Sequence, residues 1–252
     1  MHQIKKNFST VYILLFLSFV SGIVSAQTLP TVKYVIDGDT VILSNGEKVR
    51  LLGINTPEVN HQNSRLSEAG AETAKRWLIN EILGQKVQIQ KSIEHYDKYG
   101  RTLAFLKNTK GQNINLMLVE KGLATINIFP PNTLYSKQLI QAQRLAEKNT
   151  RGIWGDGFYR VNKASLIPKT KINGWNRYKA TVDRVEASPK GYKLWLENTV
   201  YLWVAKKNLP WFADIYQYQG ENIEVRGWVR KWGENWSINV RHPSQIISLT
   251  DK

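Results

Sequence analysis

The feature that most constrains the fold is a pair of short apolar runs joined by an Asn-Gly dipeptide. The runs cover residues 40–43 and 48–54, and Asn45-Gly46 lies between them. Asn-Gly between such runs is a strong signal for a tight β-hairpin. A third apolar run, 31–36, precedes them and ends at an Asp-Gly turn. The sequence therefore predicts three consecutive strands, of which the last two form a hairpin.

Polar side chains collect at the ends of these predicted strands. They are Asp37, Asp39, Thr40, Arg50, Asn55, Thr56 and Glu58. A hairpin can bring all of them together, and acidic oxygens beside an arginine suit a hard cation and a phosphate. Each residue also has a structural explanation, because Asp-Gly makes turns and Thr56-Pro57 is a good start for a helix. For any single residue, both explanations stay open.

Taken together, these residues form an ordered motif. It reads Asp-Gly-Asp-Thr at 37–40, then Arg50 on an apolar strand, then Asn-Thr-Pro-Glu at 55–58. This order resembles the signature of the staphylococcal nuclease (thermonuclease) family. A second family element appears as Asp-Lys-Tyr-Gly-Arg at 97–101. Two separated motifs in the right order argue against chance, and the resemblance covers about residues 30 to 155.

The resemblance implies a set of site residues for phosphodiester hydrolysis. That reaction needs an activated water, charge neutralisation at the phosphoryl group and accurate placement. The resemblance implies Ca²⁺ as the cofactor, held by Asp39, Asn55 and the carbonyl group of Thr56. It also implies that Arg50 and Arg101 clamp the phosphate, for which a planar guanidinium is better suited than an ammonium group.

The remaining roles follow from the same resemblance. Glu58 would be the general base or would orient the attacking water. Lys98 and Tyr99 would contact a flanking phosphate, although a solvated hairpin turn explains these two residues equally well. The family's substrates are DNA and RNA, which it cleaves without sugar specificity to leave 3′-phosphates.

Two positions depart from the family pattern. Asn55 stands where the family reference has aspartate, and an amide oxygen can ligate a cation but brings no charge. The reference has two tyrosines in its nucleotide pocket, whereas the corresponding stretch here contains Phe129 and no tyrosine. Phe129 could stack on a base or fill the core. His61 lies near Glu58, but a single loop histidine is expected at the surface.

Hydrophobic periodicity completes a first domain over residues 27–160. Residues 64–83, 113–121 and 134–149 have helical spacing, and residues 86–90 and 102–106 alternate as strands. Three strands, a helix and two strands supply a five-stranded OB-type barrel. The predicted class is α+β, mainly β, with helices packed on a barrel that resembles staphylococcal nuclease.

Residues 1–26 are predicted to be a secretory signal peptide. Two lysines precede a mostly apolar stretch, 11–24, and Val24-Ser25-Ala26 has the small residues of a cleavage site. The alternative is a single membrane anchor, for which the apolar stretch is short. The chain contains no cysteine, so its stability comes from packing or metal rather than disulfides. We expect a secreted or periplasmic protein with no stable membrane anchor after cleavage.

The last third of the chain predicts a second small barrel. After a linker at 161–172, alternating runs follow in the order of the first barrel: 178–185, 193–197, 200–204, 222–228 and 236–240. Seven of the nine tryptophans lie here, and they either stack on single-stranded nucleic acid or fill a small core. Residues 173–252 are thus predicted to be an OB-like nucleic-acid-binding domain, with Trp232 and Trp236 the best candidates for exposure.

The formal net charge of +15 suits a protein that meets polyanions. We predict an exported, Ca²⁺-dependent endonuclease that acts as a monomer on DNA and RNA. The first alternative is a non-catalytic nucleic-acid-binding protein on the same fold, which Asn55 favours. The second is an exported module that binds anionic wall polymers or lipids, which explains the charge but not the signature residues.

Overall fold

The computed structural model describes residues 29–249 except 64, 66, 156, 158 and 170–173. The predicted signal peptide lies outside the described residues. Among the residues described, no helix combines the length and the hydrophobicity needed to cross a bilayer. The first half of the chain forms these elements: β1 (Val32–Asp37), β2 (Thr40–Leu43), β3 (Lys48–Leu51), β4 (Gly53–Asn55), α1 (Ala71–Ile82), β5 (Gln88–Tyr96), β6 (Thr102–Lys107), α2 (Ile114–Glu120), β7 (Thr125–Asn127) and α3 (Ser136–Lys148).

Five of these strands form one sheet in the order β1-β2-β3-β6-β5. Neighbouring strands are antiparallel except β3 and β6, which run parallel. A bridge between Thr31 and Lys86 brings the start of β5 beside β1, so the sheet curls into a barrel. The predicted OB-type barrel of five strands is confirmed.

The Asn-Gly turn closes the β2–β3 hairpin as predicted. Gly46 has a φ of 84°, a backbone conformation that glycine adopts without steric cost. The hairpin register pairs Thr40 with Arg50 and Val41 with Val49. Successive strand residues point to opposite faces, so Val41 and Val49 enter the core, where both are fully buried. Thr40 and Arg50 therefore lie on the opposite face.

The run predicted as one strand over 48–54 is divided in two. Gly53 has a φ of 75°, and the chain turns there, so that β4 pairs with β7 rather than with the barrel. A Cβ atom added at Gly53 would lie 2.6 Å from the side chain of Leu139 on α3. The positive φ and this close contact with Leu139 both favour glycine. The break leads the chain out of the barrel sheet just before Thr56.

The helix predicted over 64–83 begins later than expected. α1 starts at Ala71, after Gly70 in the left-handed conformation with a φ of 86°. Its buried face has the three- and four-residue spacing of an amphipathic helix and consists of Ala71, Ala74, Leu78 and Ile82. The bounds of α2 and α3 agree with the predicted helices to within two residues at each end.

The second half of the chain forms eight strands among the described residues. They are β8 (Val161–Lys163), β9 (Trp175–Thr181), β10 (Arg184–Ser188), β11 (Gly191–Glu197), β12 (Val200–Ala205), β13 (Asn222–Trp232), β14 (Asn235–Val240) and β15 (Ile246–Ser248). Six of them pair in the order β10-β11-β12-β14-β13-β9, with β12 and β14 parallel. β10 follows β9 after two residues, so the chain passes directly from one end of this six-strand order to the other. A second OB-like barrel results, with the strand order of the first.

The stretch predicted to be a linker, 161–172, is folded over most of its length. β8 pairs in parallel with β9, and a 3-10 helix, Ala164–Lys169, places Ala164 and Ile167 in the second core. β8 is only three residues long, so no alternating pattern marks it in the sequence. The burial of Ala164 and Ile167 depends on contacts with distant strands. The two barrels have separate hydrophobic cores, built from residues 32–142 and 164–246.

The tryptophans of the second barrel divide between core and surface. Trp175 and Trp195 are buried. Trp232, at the β13–β14 turn, is 77% exposed, as predicted. The other candidate for exposure, Trp236, is instead half-buried against the second core, and the Lys231 ammonium lies 5.8 Å from its ring centre. The core contact explains the difference, because β14 turns this ring inward.

Candidate active site

A cavity of about 680 Å³ opens between the two barrels. Its walls include seven of the eight site residues expected from the sequence: Asp39, Arg50, Asn55, Glu58, Lys98, Tyr99 and Arg101. The eighth, Thr56, is buried next to Asn55. The fold thus gathers two motifs that are far apart in the sequence into one place.

Asp39 and Arg50 form the centre of the first motif. Asp39 is 4% exposed, and Arg50 stands opposite Thr40 in the hairpin. The Asp39 Oδ2 atom lies 2.9 Å from Arg50 Nη2 and accepts a hydrogen bond from the Thr56 N–H at 3.0 Å. Arg50 Nη1 donates to the carbonyl of Leu51 at 2.7 Å. These contacts hold the guanidinium in one orientation. A fixed orientation is needed if the guanidinium is to bind a phosphate through two hydrogen bonds.

Asn55 uses both ends of its amide inside the protein. Its Oδ1 atom accepts a hydrogen bond from Arg50 Nη2 at 3.3 Å, and its Nδ2 atom donates to the Thr56 carbonyl at 3.0 Å. An aspartate here could accept from Arg50 but could not donate to that carbonyl. Asn55 is therefore hydrogen-bonded to the carbonyl oxygen of Thr56, which the family resemblance assigns as a ligand of the cation.

The ligands implied for calcium have suitable chemistry but little charge. Asp39, Asn55 and Thr56 offer carboxylate, amide and carbonyl oxygens, which are the ligands that Ca²⁺ takes. Only Asp39 is charged, and the other two are hydrogen-bonded to each other. In the part of the chain that the structure describes, no group of three or more His, Cys, Asp or Glu side chains is placed to hold a metal ion. A cation here would depend on neutral oxygens and on the substrate.

Glu58 lies in a loop that Glu68 holds in place. The Glu58 N–H donates to Glu68 Oε2, and the Glu68 N–H donates to the Glu58 carbonyl, both at 2.9 Å. These bonds join Glu58 to Glu68 a few residues before α1 begins at Ala71. The Glu58 carboxyl opens to the cavity. Desolvation by the surrounding walls, followed by the charges of Asp39 and Asp37, raises its pKa to about 7, although Arg50 lowers it. Such a group is suited to accept a proton from water near neutral pH.

The second motif forms a tight turn around Asp97. The Asp97 Oδ1 atom accepts hydrogen bonds from the N–H groups of Tyr99 and Arg101, at 2.9 and 3.0 Å. Its Oδ2 atom accepts from Arg101 Nε at 2.6 Å. Gly100, with a φ of 76°, completes the turn. Asp97 therefore orients Arg101 through its Nε atom.

Lys98 and Tyr99 lie at the rim of the cavity. Tyr99 is 71% exposed, and its ring centre is 4.8 Å from Lys98 Nζ and 5.6 Å from the Arg101 guanidinium. An exposed ring beside two cations suits a flanking nucleotide, because bases stack on aromatic rings and cations attract phosphate. The role of these two residues stays a prediction.

Several residues of the cavity lie outside the set of eight site residues expected from the sequence. Asp37 lies in the wall, and burial together with the charge of Asp39 raises its pKa. Phe129 is 39% exposed and lines the wall rather than the core. The second barrel contributes four more residues, Trp228, Arg230, Asn239 and Arg241. No motif marks them, since only the packing of the barrels brings them there. His61 is exposed, as expected.

Comparison with known proteins covers about half of the chain. The family described as "Staphylococcal nuclease homologue" matches residues 48–156. Thermonuclease from Staphylococcus intermedius is 37% identical over 126 residues, which are 49% of this chain and 74% of the relative. Thermonuclease from Staphylococcus hyicus is 35% identical over 136 residues, 52% and 77% of the two chains. Endonuclease YncB from Bacillus subtilis (strain 168) is 32% identical over 140 residues, 53% and 64%. The chain therefore belongs to the staphylococcal nuclease family.

Proposed function

We propose that the protein is an exported, Ca²⁺-dependent endonuclease that hydrolyses DNA and RNA with little sequence specificity. The observation that carries the proposal is the convergence of Arg50, Glu58 and Arg101 on one cavity. Membership of a nuclease family supports the activity at a general level. The net charge of +15 suits a polyanionic substrate, and export rests on the signal-like segment 1–26.

The reaction follows from what these side chains can do. Arg50, held by Asp39, and Arg101, held by Asp97, donate hydrogen bonds to phosphoryl oxygens whose negative charge grows during attack. Glu58, whose carboxyl group lines the same cavity, accepts the proton of the attacking water. A divalent cation held by the oxygens of Asp39, Asn55 and Thr56 would supply polarisation of a phosphoryl oxygen.

A non-catalytic nucleic-acid-binding protein is the second candidate. The hydrogen bond from Asn55 to the Thr56 carbonyl favours it, because one metal ligand is neutral and another is engaged. Glu58 favours turnover instead, since binding a polyanion gains nothing from a carboxyl group in the cavity.

Digestion of plasmid DNA and of RNA by the purified mature protein tests the proposal. We expect both substrates to be cleaved in Ca²⁺ and to stay intact in excess EGTA. Arg101→Ala protein, purified in parallel, controls for contaminating nucleases. Retardation of the substrates in a gel without cleavage at any Ca²⁺ concentration would identify the second candidate.

A further inference from the structure

The second barrel supplies one wall of the candidate active site as a regular sheet face. Trp228 and Arg230 lie on β13, and Asn239 lies on β14. In the register of these strands, Arg230 stands opposite Ser237 and residue 229 opposite residue 238. Side chains alternate along a strand, so Trp228, Arg230, Ser237 and Asn239 share one face. Arg241 follows β14 and lines the same cavity.

Buried ion pairs fix this face against the first barrel. Arg226, on β13 two residues before Trp228, donates hydrogen bonds to both carboxylate oxygens of Glu147 on α3, at 2.6 and 2.8 Å. Glu224 pairs with Arg226 at 2.6 Å and with Arg177 at 2.7 Å. Removing a partner from a buried pair is costly, so these contacts resist displacement of β13 from α3. The wall is therefore held at a set distance from the catalytic residues.

Arg230 and Arg241 have no acidic partner in the described part of the chain. Every ion pair found there involves other residues. Burial, followed by the positive charge of Arg230, lowers the pKa of Arg241, which indicates two like charges close together. A pair of guanidinium groups without a carboxylate suits an anionic ligand, above all a phosphate.

Phe129 connects this wall to the catalytic turn. The Arg241 guanidinium lies 4.4 Å from the centre of the Phe129 ring. The loop that carries Phe129 is tied to β5 by Asn132, whose amide exchanges hydrogen bonds of 2.8 and 2.9 Å with the backbone of Glu94. β5 leads directly into the turn that holds Arg101. The cavity therefore runs from Arg101 past Phe129 to the second barrel.

We propose that the second barrel binds the polynucleotide strand beside the scissile phosphate, with Arg230 and Arg241 contacting flanking phosphates. Phe129 and Trp228 offer apolar surface to the adjoining bases and sugars. This inference rests on the proposed function, because it extends the substrate of the same cavity. A single strand exposes both its phosphates and the faces of its bases. The guanidinium groups of this wall suit the phosphates, and its aromatic rings suit the bases. A dinucleotide would engage the catalytic wall alone.

Two doubly substituted proteins test the proposal. Arg230→Gln with Arg241→Gln removes two charges from the wall. Lys206→Gln with Lys207→Gln removes two charges from an exposed part of the same barrel outside the cavity lining. For binding, each pair is combined with Glu58→Gln so that the strands stay intact. Anisotropy then measures affinity for deoxythymidine and uridine oligomers of about 20 residues over a range of salt concentrations.

The arginine variant should lower the slope of log affinity against log salt by about 1.4, since each phosphate contact to a single strand contributes about 0.7. The loss should be equal for the DNA and RNA oligomers, because phosphates rather than sugars are contacted. The lysine variant should behave like its parent. In the background that retains Glu58, kcat/KM for the long strand should fall about tenfold more than for a dinucleotide.

The single variant Arg230→Gln tests the proposal even if the double variant fails to fold. Arg230 is exposed and makes no side-chain hydrogen bond or ion pair among the described residues, so its replacement should leave the fold intact. It should show about half the change in slope. An unchanged slope in the folded arginine variants, or an equal change in the lysine variant, would overturn the proposal. A loss confined to RNA would also overturn it. A parent protein that binds but never cleaves would overturn the proposed function alone, because the slopes are measured without turnover.

Discussion

At the scale of single residues, carboxylates hold the two arginines of the site. Asp39 contacts Arg50 at 2.9 Å, and Asp97 contacts Arg101 at 2.6 Å. A guanidinium already ordered by a carboxylate loses less side-chain freedom when it binds a phosphate. Asp97 is therefore a positioning residue, whereas Asp39 both orients Arg50 and would offer an oxygen to the cation. The arginines and Glu58 are the groups that would meet the substrate.

We expect Glu58→Gln and Arg101→Ala each to lower turnover by at least ~10², the usual loss for one acid–base group or one transition-state donor. Glu72→Gln on α1 and Arg144→Ala on α3 are matched controls, since both side chains are exposed and outside the cavity. Initial rates on plasmid DNA and thermal melting curves provide the measurements. Near-parental rates in both folded variants would refute the assignment of these roles.

We expect Asn55→Asp to lower the Ca²⁺ concentration needed for half-saturation about tenfold, equivalent to ~1.4 kcal/mol. The substitution adds a charge beside Asp39 and abolishes the hydrogen bond that occupies the Thr56 carbonyl. Calorimetric titration of Ca²⁺ in the presence of a short oligonucleotide measures binding, and rates against Ca²⁺ follow in parallel.

Asn198→Asp is the control for the Asn55 experiment, because it adds the same charge in the exposed turn between β11 and β12. It should leave the Ca²⁺ requirement unchanged. Coinciding half-saturation points for the parent and Asn55→Asp would show that Asn55 is not a ligand and that the metal site has been carried over wrongly from the family.

At the scale of secondary-structure elements, β13 links the two barrels. Its buried Glu224 and Arg226 reach Arg177 on β9 and Glu147 on α3. Two residues further along the same face lies Trp228, in the cavity wall. One strand therefore combines the contact that docks the barrels with the face that would meet the substrate.

The ion pairs of β13 predict an acid-sensitive stability. Burial alone would raise the pKa of Glu224, but hydrogen bonds and charges from Arg177 and Arg226 outweigh it and lower the pKa below its ordinary value of 4.5. The ionised group then adds stability above pH 4.5 and loses it as the pH falls through the lowered value. Glu224→Gln should lower the urea midpoint at pH 7, and the deficit should shrink in acid. Glu234→Gln, in an exposed turn, should show no such trend. A deficit that stays constant with pH would contradict this account.

At the scale of the whole molecule, the two barrels have independent cores. Among the described residues, the first core is built from residues 32–142, and the family match ends at residue 156. The second begins at Ala164, inside the stretch predicted as a linker. A truncation at residue 170 would therefore leave Ala164 and Ile167 without their partners. The boundary that respects both cores lies before β8.

We expect a protein truncated after residue 156 to fold and to cleave, but to bind single strands more weakly and with a flatter salt dependence. The truncated protein lacks Arg230, Arg241 and the other basic residues of the second barrel, so it displaces fewer counterions from the strand when it binds. Circular dichroism verifies folding, and anisotropy against salt measures binding. Unchanged affinity at low and moderate salt would show that the second barrel serves another purpose.

The sequence by itself determined the features that neighbouring residues encode. Asn45-Gly46 specifies the hairpin through its turn chemistry, and alternation places Arg50 opposite the core. Only the tertiary structure decided the rest. Glu58 and Glu68 are joined by hydrogen bonds and α1 begins only at Ala71, and the amide of Asn55 turns to the Thr56 carbonyl. The docking of β13 on α3 brings Arg230 to the catalytic cavity. These contacts join residues whose relation is set by packing between distant elements, and no local pattern in the sequence records such packing.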